Sequence, residues 1–215
     1  MKHPHSIRTM GRTVLVVGGG GREHALTIGL VESPSVDSVH VAPGNAGTSE
    51  IATNHNVSAS DIDSMVKLAH SLNVDLVIVG PEAPLVAGLS DELRRIGIPS
   101  FGPHAAGAML EGSKDFAKQV MLDLGIPTAS VQHLTADSDL VEAVDQWGSP
   151  WVVKRDVLAG GKGVLVTENR DEAIDFIQTS IESDGMVLLE EFLEGEEASM
   201  LVMIDESGFV ALPCS

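Results

Sequence analysis

Short apolar runs rich in β-branched residues recur along the chain, separated by segments whose apolar positions fall at helical spacing. Thr13–Val17, Ser38–Ala42, Asp75–Val79 and a short stretch near Ile98–Phe101 read as strands. Between them, Arg22–Val31 carries Ala25, Leu26 and Leu30 at helical spacing, and Asp61–Leu72 places Ile62, Met65, Val66 and Ala69 on one face. Ser60 with Asp63 resembles a capping box that opens the second of these helices, with Asp in place of the usual Glu. The cluster "PGNAG" reads as a turn, "GPEAP" ends the third strand, and a further helix is predicted around Leu85–Arg95. Strands separated by helices of about ten residues imply parallel βαβ units with right-handed crossovers, an open α/β sheet.

The pattern changes near Gly112. Ser113 is placed to cap a helix through Leu124, with Phe116, Val120, Met121 and Leu124 facing inward. Gly125 sits where a left-handed C-cap is expected, and Pro127 prevents continuation. Then come strands at Trp151–Lys154 and Val164–Thr167, a helix capped by Asn169, and strands at Val187–Glu191 and Ala198–Ile204. This order is α+β, so two domains are predicted, over 12–112 and 113–215.

Composition narrows the function classes. Aromatics make up 3% with no tyrosine, so aliphatic side chains must fill the core. No segment approaches the ~20 apolar residues of a membrane helix, and the first residues lack the apolar stretch of a secretory signal. The single cysteine, Cys214, provides no internal disulfide framework and fits a reducing compartment, so a cytoplasmic location is expected. A formal charge of −18 argues against a nucleic-acid surface. It also means that a polyanionic ligand needs local positive charge against the global field.

Three stretches carry candidate chemistry. In "GGGGREHA", the dinucleotide fingerprint G-x-G-x-x-G fails: its third glycine position is Glu23 counted from Gly18 and His24 counted from Gly19. Free amides at a helix N-terminus, with Arg22 beside them, still suit a single phosphate; the alternative is a tight strand-to-helix turn. In "VVKRDVLAGGKGVLV", the P-loop test fails as well, because Lys162 is followed by Gly163 and then a strand. Two strands joined by a glycine-rich loop make a flap whose amides can fold over phosphates. Lys154 ends an otherwise apolar strand, where an ammonium is costly without an anion; the alternative is a lysine snorkelling at a strand end. "VLLEEFLEGEEASM" reads either as an acidic turn or as a linker whose backbone reads an adenine edge, followed by a carboxylate for ribose hydroxyls.

Taken in order, "GGGGREHAL", "VAPGNAGT", "VIVGPEAPLVAGL", "GPHAAGAMLEGSKDFAK", "LAGGKGV" and "LLEEFLEGEEASM" resemble the N-terminal half of the phosphoribosylamine–glycine ligase family, from about Thr13 onward. The resemblance implies a Rossmann-like N-terminal domain followed by the first part of an α+β ATP-grasp domain. It implies ATP-dependent ligation of glycine to 5-phosphoribosylamine through a glycyl phosphate, with Mg²⁺ (or Mn²⁺), and small-molecule partners with no nucleic acid or membrane. Lys114 and Lys154 would contact ATP near its adenine and α-phosphate, and Gly160, Gly161, Lys162 and Gly163 would cover the triphosphate. Glu190, Glu191, Phe192 and Leu193 would read adenine, and Glu197 would hold the ribose. Gly20, Gly21, Arg22, Glu23, Gly44, Asn45, Glu82 and Pro84 would face the phosphoribosyl substrate.

Where relatives often read K-A-D-G-L-A-A-G-K-G, this chain reads "KRDVLAGGKG", so Arg155 and Val157 replace small residues and raise the loop's charge and stiffness. The family continues well past "ALPCS". Metal ligands and much of the glycine site are therefore expected beyond Ser215, no catalytic residue is assignable within the chain, and the 215 residues alone are expected to be inactive. A nucleotide-binding module without catalysis and a related ATP-grasp carboxylate–amine ligase are the alternatives; "GREHA" with "APGNAGT" favours the glycine ligase.

Overall fold

The computed structural model describes residues 11–158 and 163–214. Five strands form one parallel sheet: β1 (Arg12–Gly18), β2 (Val36–Pro43), β3 (Thr53–Asn54), β4 (Leu76–Val79) and β5 (Ser100–Phe101), in the order β3-β2-β1-β4-β5. Val14–Val17 of the central strand are almost wholly buried. That explains a continuous apolar run instead of an alternating one, since a central parallel strand is covered on both faces. Leu15 and Val17 join Met65, Ala69, Val77, Leu89 and Leu93 on one side, while Val16 packs with Val39, Val41 and Leu30 on the other.

Helices α1 (Gly21–Val31), α2 (Ala46–Ile51), α3 (Ile62–Ser71), α4 (Glu82–Val86) and α5 (Leu89–Arg95) connect these strands. Met65 and Ala69 of α3 are buried, as their spacing predicts. The cap of α3 lies one residue later than expected: Asp61, not Ser60, accepts the Ser64 amide at 3.0 Å, an aspartate being as good a cap as serine. The single helix expected over 85–95 is two, because Gly88 adopts φ +90° and breaks the hydrogen-bond ladder. The "PGNAG" turn is followed by an unforeseen helix, α2, which Asn45 caps. In α1 the buried positions are Glu23 and Thr27, whereas Leu26 is exposed.

Two further helices follow, α6 (Ala105–Gly112) and α7 (Lys114–Asp123). Ser113 caps α7 through the Phe116 amide, 3.0 Å. The left-handed Gly125 (φ +66°) ends it, with the Ile126 amide reaching the Met121 carbonyl, as expected of a Schellman close. The inward face differs from expectation. Phe116 and Leu124 are exposed, and Lys118 is the buried residue.

The remaining residues build an antiparallel sheet from β6 (Val131–Thr135), β7 (Trp151–Arg155), β8 (Val164–Thr167) and β9 (Met186–Glu190), in the order β6-β9-β7-β8. Helices α8 (Leu140–Trp147) and α9 (Arg170–Asp184) cover one face over Leu134, Val144, Trp151, Val153, Ile177, Val187 and Leu189. Asn169 caps α9 as predicted. Among the described residues, strands β10 (Val202–Asp205) and β11 (Gly208–Ala211) pair only with each other, and both are exposed throughout. The expected strand over 198–204 therefore begins at Val202.

Contacts divide the chain into two units, one running from β1 through Ile126 and including the segment that starts at Asp156, the other from Pro127 to Arg155 and from Val164 onward. Among the described residues no helix is long and apolar enough to cross a membrane.

Candidate functional site

In the first unit the carboxyl ends of β1, β2 and β4 converge at the point where strand order reverses on either side of β1, the usual ligand crevice of an open parallel sheet. The Gly44 amide donates to the Gly18 carbonyl at 3.1 Å and the Gly80 amide to Val17 at 3.0 Å. Asn45 Nδ2 donates to the Gly19 carbonyl at 3.0 Å, while its Oδ1 caps α2 through Thr48. Glu23 is turned back into the crook of the loop, 5% exposed, and its carboxylate accepts the Gly20 amide at 2.7 Å. A Cβ on Gly80 would strike that carboxylate, so the glycines make room for Glu23 as well as for the turn.

Arg22 stands outside, 62% exposed, with Nη2 3.1 Å from Glu82 Oε1. The Glu82 carboxyl is held below the usual range by its own backbone amide first and by Arg22 second. Gly20, Gly21, Arg22, Glu23, Gly44, Asn45 and Glu82 are thus brought together at this end of the sheet. Pro84 is buried within α4.

In the second unit Lys154 lies on the face of β7 opposite Trp151 and Val153. Its ammonium donates to Glu190 Oε2 at 2.8 Å, with the lysine side chain 31% exposed and the glutamate 5%. The anion that a lysine at the end of this apolar strand calls for is therefore supplied within the chain. The Glu190 carbonyl accepts the Trp147 indole N–H at 3.1 Å. Glu191 is clamped to Ser130: its amide donates to the Ser130 carbonyl, and its carboxylate accepts the Ser130 amide and hydroxyl. These bonds, the amide's first, hold the Glu191 carboxyl below its ordinary value. Phe192, Leu193 and Glu197 are exposed. Ser130, Trp147, Pro150, Glu191 and Phe192 line a shallow cavity beside this segment.

Arg155 occupies the opposite face of β7 from Lys154. Its guanidinium forms a two-pronged bond to Asp184 at the end of α9, 2.6 and 2.9 Å. The added charge at this position is thus consumed by a carboxylate on the helical side of the sheet.

Lys114 and its surroundings belong to the first unit. The Lys114 ammonium donates to the Val157 carbonyl at 3.1 Å. Asp156, a residue the sequence did not single out, accepts from Ser113 Oγ (3.0 Å) and from the Lys114 and Asp115 amides (2.6 and 3.1 Å). No sequence signal points to this, since the partners lie about forty positions apart. Gly160, Gly161 and Lys162 lie outside the described residues; Gly163, which precedes β8, is buried. Among the described residues no cluster of three His, Cys, Asp or Glu side chains fits a metal ion.

The family model for the phosphoribosylglycinamide synthetase N domain matches residues 12–111, and that for the ATP-grasp (A) domain of the same synthetase matches residues 112–215. A phosphoribosylamine–glycine ligase of Mycobacterium bovis is 44% identical over 204 residues, which are 93% of this chain and 48% of the relative. The crystal structure of the Thermotoga maritima phosphoribosylamine–glycine ligase is 32% identical with a TM-score of 0.74, covering 94% of this chain and 49% of that one. A biotin carboxylase domain of Hydrogenobacter thermophilus, crystallised with MgADP, is 18% identical at a TM-score of 0.73, over 94% of this chain and 49% of that one, a likeness of fold. The chain spans about half the length of the curated relatives it matches. Two domain models of one synthetase meet end to end across 12–215, and the chain belongs to that family, the phosphoribosylglycinamide synthetases.

Proposed function

We propose that this chain supplies the nucleotide-binding lysines and the phosphoribosyl site of a cytoplasmic phosphoribosylamine–glycine ligase of purine biosynthesis, with 12–112 as the phosphoribosyl domain and 113–215 as ATP-grasp. The γ-phosphoryl group of ATP passes to a glycine carboxylate oxygen, releasing ADP and giving glycyl phosphate. The amine of 5-phosphoribosylamine attacks the acyl carbon, its nitrogen loses a proton, and phosphate departs. A carboxylate is a poor electrophile, so the phosphoryl group serves as the leaving group it lacks. The contribution of this chain is positioning and charge neutralisation. Lys114 and Lys154 face the nucleotide, with Gly160–Gly163 over the phosphates, Glu190–Leu193 along adenine and Glu197 at the ribose. Gly20–Glu23, Gly44, Asn45 and Glu82 gather around the substrate phosphate. Among the described residues no side-chain cluster fits the Mg²⁺ that would help neutralise the phosphoryl charge in this reaction.

The observation that carries the nucleotide reading is the Lys154 ammonium. It is held by a buried carboxylate at the root of the glycine loop, yet keeps a third of its side chain exposed and uses one of its three N–H groups on Glu190. The test is ATP titration of the chain and of Lys154→Met. Losing a charge-assisted hydrogen bond costs roughly 1.5–3 kcal/mol, so affinity should fall about 10–150-fold. Equal affinity would return Lys154 to a structural ion pair.

A further inference from the structure

The first turn of α7 has amides with no intrahelical acceptor, and two residues account for them. Ser113 Oγ accepts from the Phe116 amide at 3.0 Å and donates in turn to Asp156 Oδ2 at 3.0 Å. Asp156 Oδ1 takes the Lys114 and Asp115 amides at 2.6 and 3.1 Å. A carboxylate at a helix N-terminus also answers the positive end of the helix dipole. The place where a phosphate could sit on α7 is therefore already filled by an anion of the chain itself. One residue further on, the Val157 carbonyl receives the Lys114 ammonium at 3.1 Å. Lys114 is thus held at both ends, its backbone by Asp156 and its side chain by Val157.

We propose that Asp156 is a positioning residue for Lys114: it fixes the start of α7 to the root of the glycine loop and so sets the lysine where the nucleotide meets it. The proposal rests on the nucleotide reading of Lys114. It also accounts for a carboxylate at the start of a loop expected to face phosphates. Bonded to three donors, Asp156 directs its carboxylate at the N-terminus of α7. Val157 acts only through its carbonyl, so a bulkier side chain there is compatible with the same bond.

The test is a double-mutant cycle on ATP affinity, measured by titration calorimetry on the chain, with folding checked by circular dichroism. Lys114→Ala alone should weaken ATP about tenfold or more. Asp156→Ala alone should weaken it several-fold, and Asp156→Asn, which keeps an acceptor oxygen, should stay within about threefold of the parent. Combined with Lys114→Ala, Asp156→Ala should add almost nothing, because residues acting through one contact are not additive. A structural role spread over the fold would instead multiply the two effects, and that result overturns the proposal. Unchanged ATP affinity in Asp156→Ala overturns it too. If Asp156→Ala does not fold, amide hydrogen exchange in Asp156→Asn decides: Lys114 and Asp115 should stay protected, and exchange at the rate of free amides overturns the cap. Should neither Lys114→Ala nor Lys154→Met alter ATP binding, the nucleotide reading itself fails and takes the proposal with it; a normal lysine effect with an additive Asp156 effect sinks the proposal alone.

Discussion

Lys154 and Arg155 are neighbours at the end of β7, and strand geometry sends their side chains to opposite faces of the sheet. Lys154 meets Glu190 on one face, and Arg155 meets Asp184 on the other. Asp184 closes α9, where a negative charge opposes the helix dipole, and Arg155 compensates it. Arg155→Ala should therefore leave ATP affinity within about twofold of the parent while lowering the melting temperature. The Asp184 carboxyl is held below its ordinary 3.8, chiefly by the bond to Arg155. A carboxyl lowered in the folded state adds stability that is present above 3.8 and is lost as pH falls through the lower folded value. The melting difference between parent and variant should thus be full at neutral pH and close in strong acid. A difference that persists unchanged at acid pH, or a large ATP effect, contradicts this assignment.

At the scale of elements, the glycines around Glu23 and the start of α1 divide into two kinds. Gly80 has no room for a Cβ, because the Glu23 carboxylate fills the space, whereas a Cβ on Gly21 meets nothing within 4 Å. Gly80→Ala should cost about 1–3 kcal/mol, the usual penalty of overpacking, and should free the Gly20 amide for exchange. Gly21→Ala, at the first position of α1, should be neutral or stabilise by up to ~1 kcal/mol. Chemical denaturation of the two variants separates them; equal costs would mean that the loop is shaped by turn geometry and not by Glu23.

Much at this scale was legible in the sequence. The buried run of β1, the caps at Ser113 and Asn169 and the left-handed Gly125 each carry a local signature. What could not be read depends on distant partners. β6 is a mixed run, "VQHLT", that becomes a strand by pairing with β9, and the turn of Glu23 toward Gly20 is fixed by the crook that Gly80 leaves open. The buried Lys118 of α7 likewise owes its place to packing that no spacing rule reveals.

For the whole molecule, a formal charge of −18 sets the constraint that organises the candidate sites. Anionic ligands can be held only where cations are locally concentrated or backbone amides point outward, and the chain offers these at separate places: Arg22 at the start of α1, Lys114 at the start of α7, and Lys154 on β7. Under the proposed function the first would take a phosphoribosyl phosphate and the other two ATP. The Glu23 carboxylate fills the turn where a dinucleotide pyrophosphate would approach, and Arg22 stands outside it against Glu82. The most direct test is residue-resolved NMR of the ¹⁵N-labelled chain, titrated separately with ATP and with ribose 5-phosphate, a stable stand-in for the labile amine. ATP should shift the amides of Lys114, Lys154 and Glu190–Leu193 and leave Gly20–Arg22, Gly44 and Asn45 in place, while ribose 5-phosphate should do the reverse. Shifts by both ligands at the same amides, or ATP shifts centred on Gly20–Arg22, would contradict the division of labour on which the account rests.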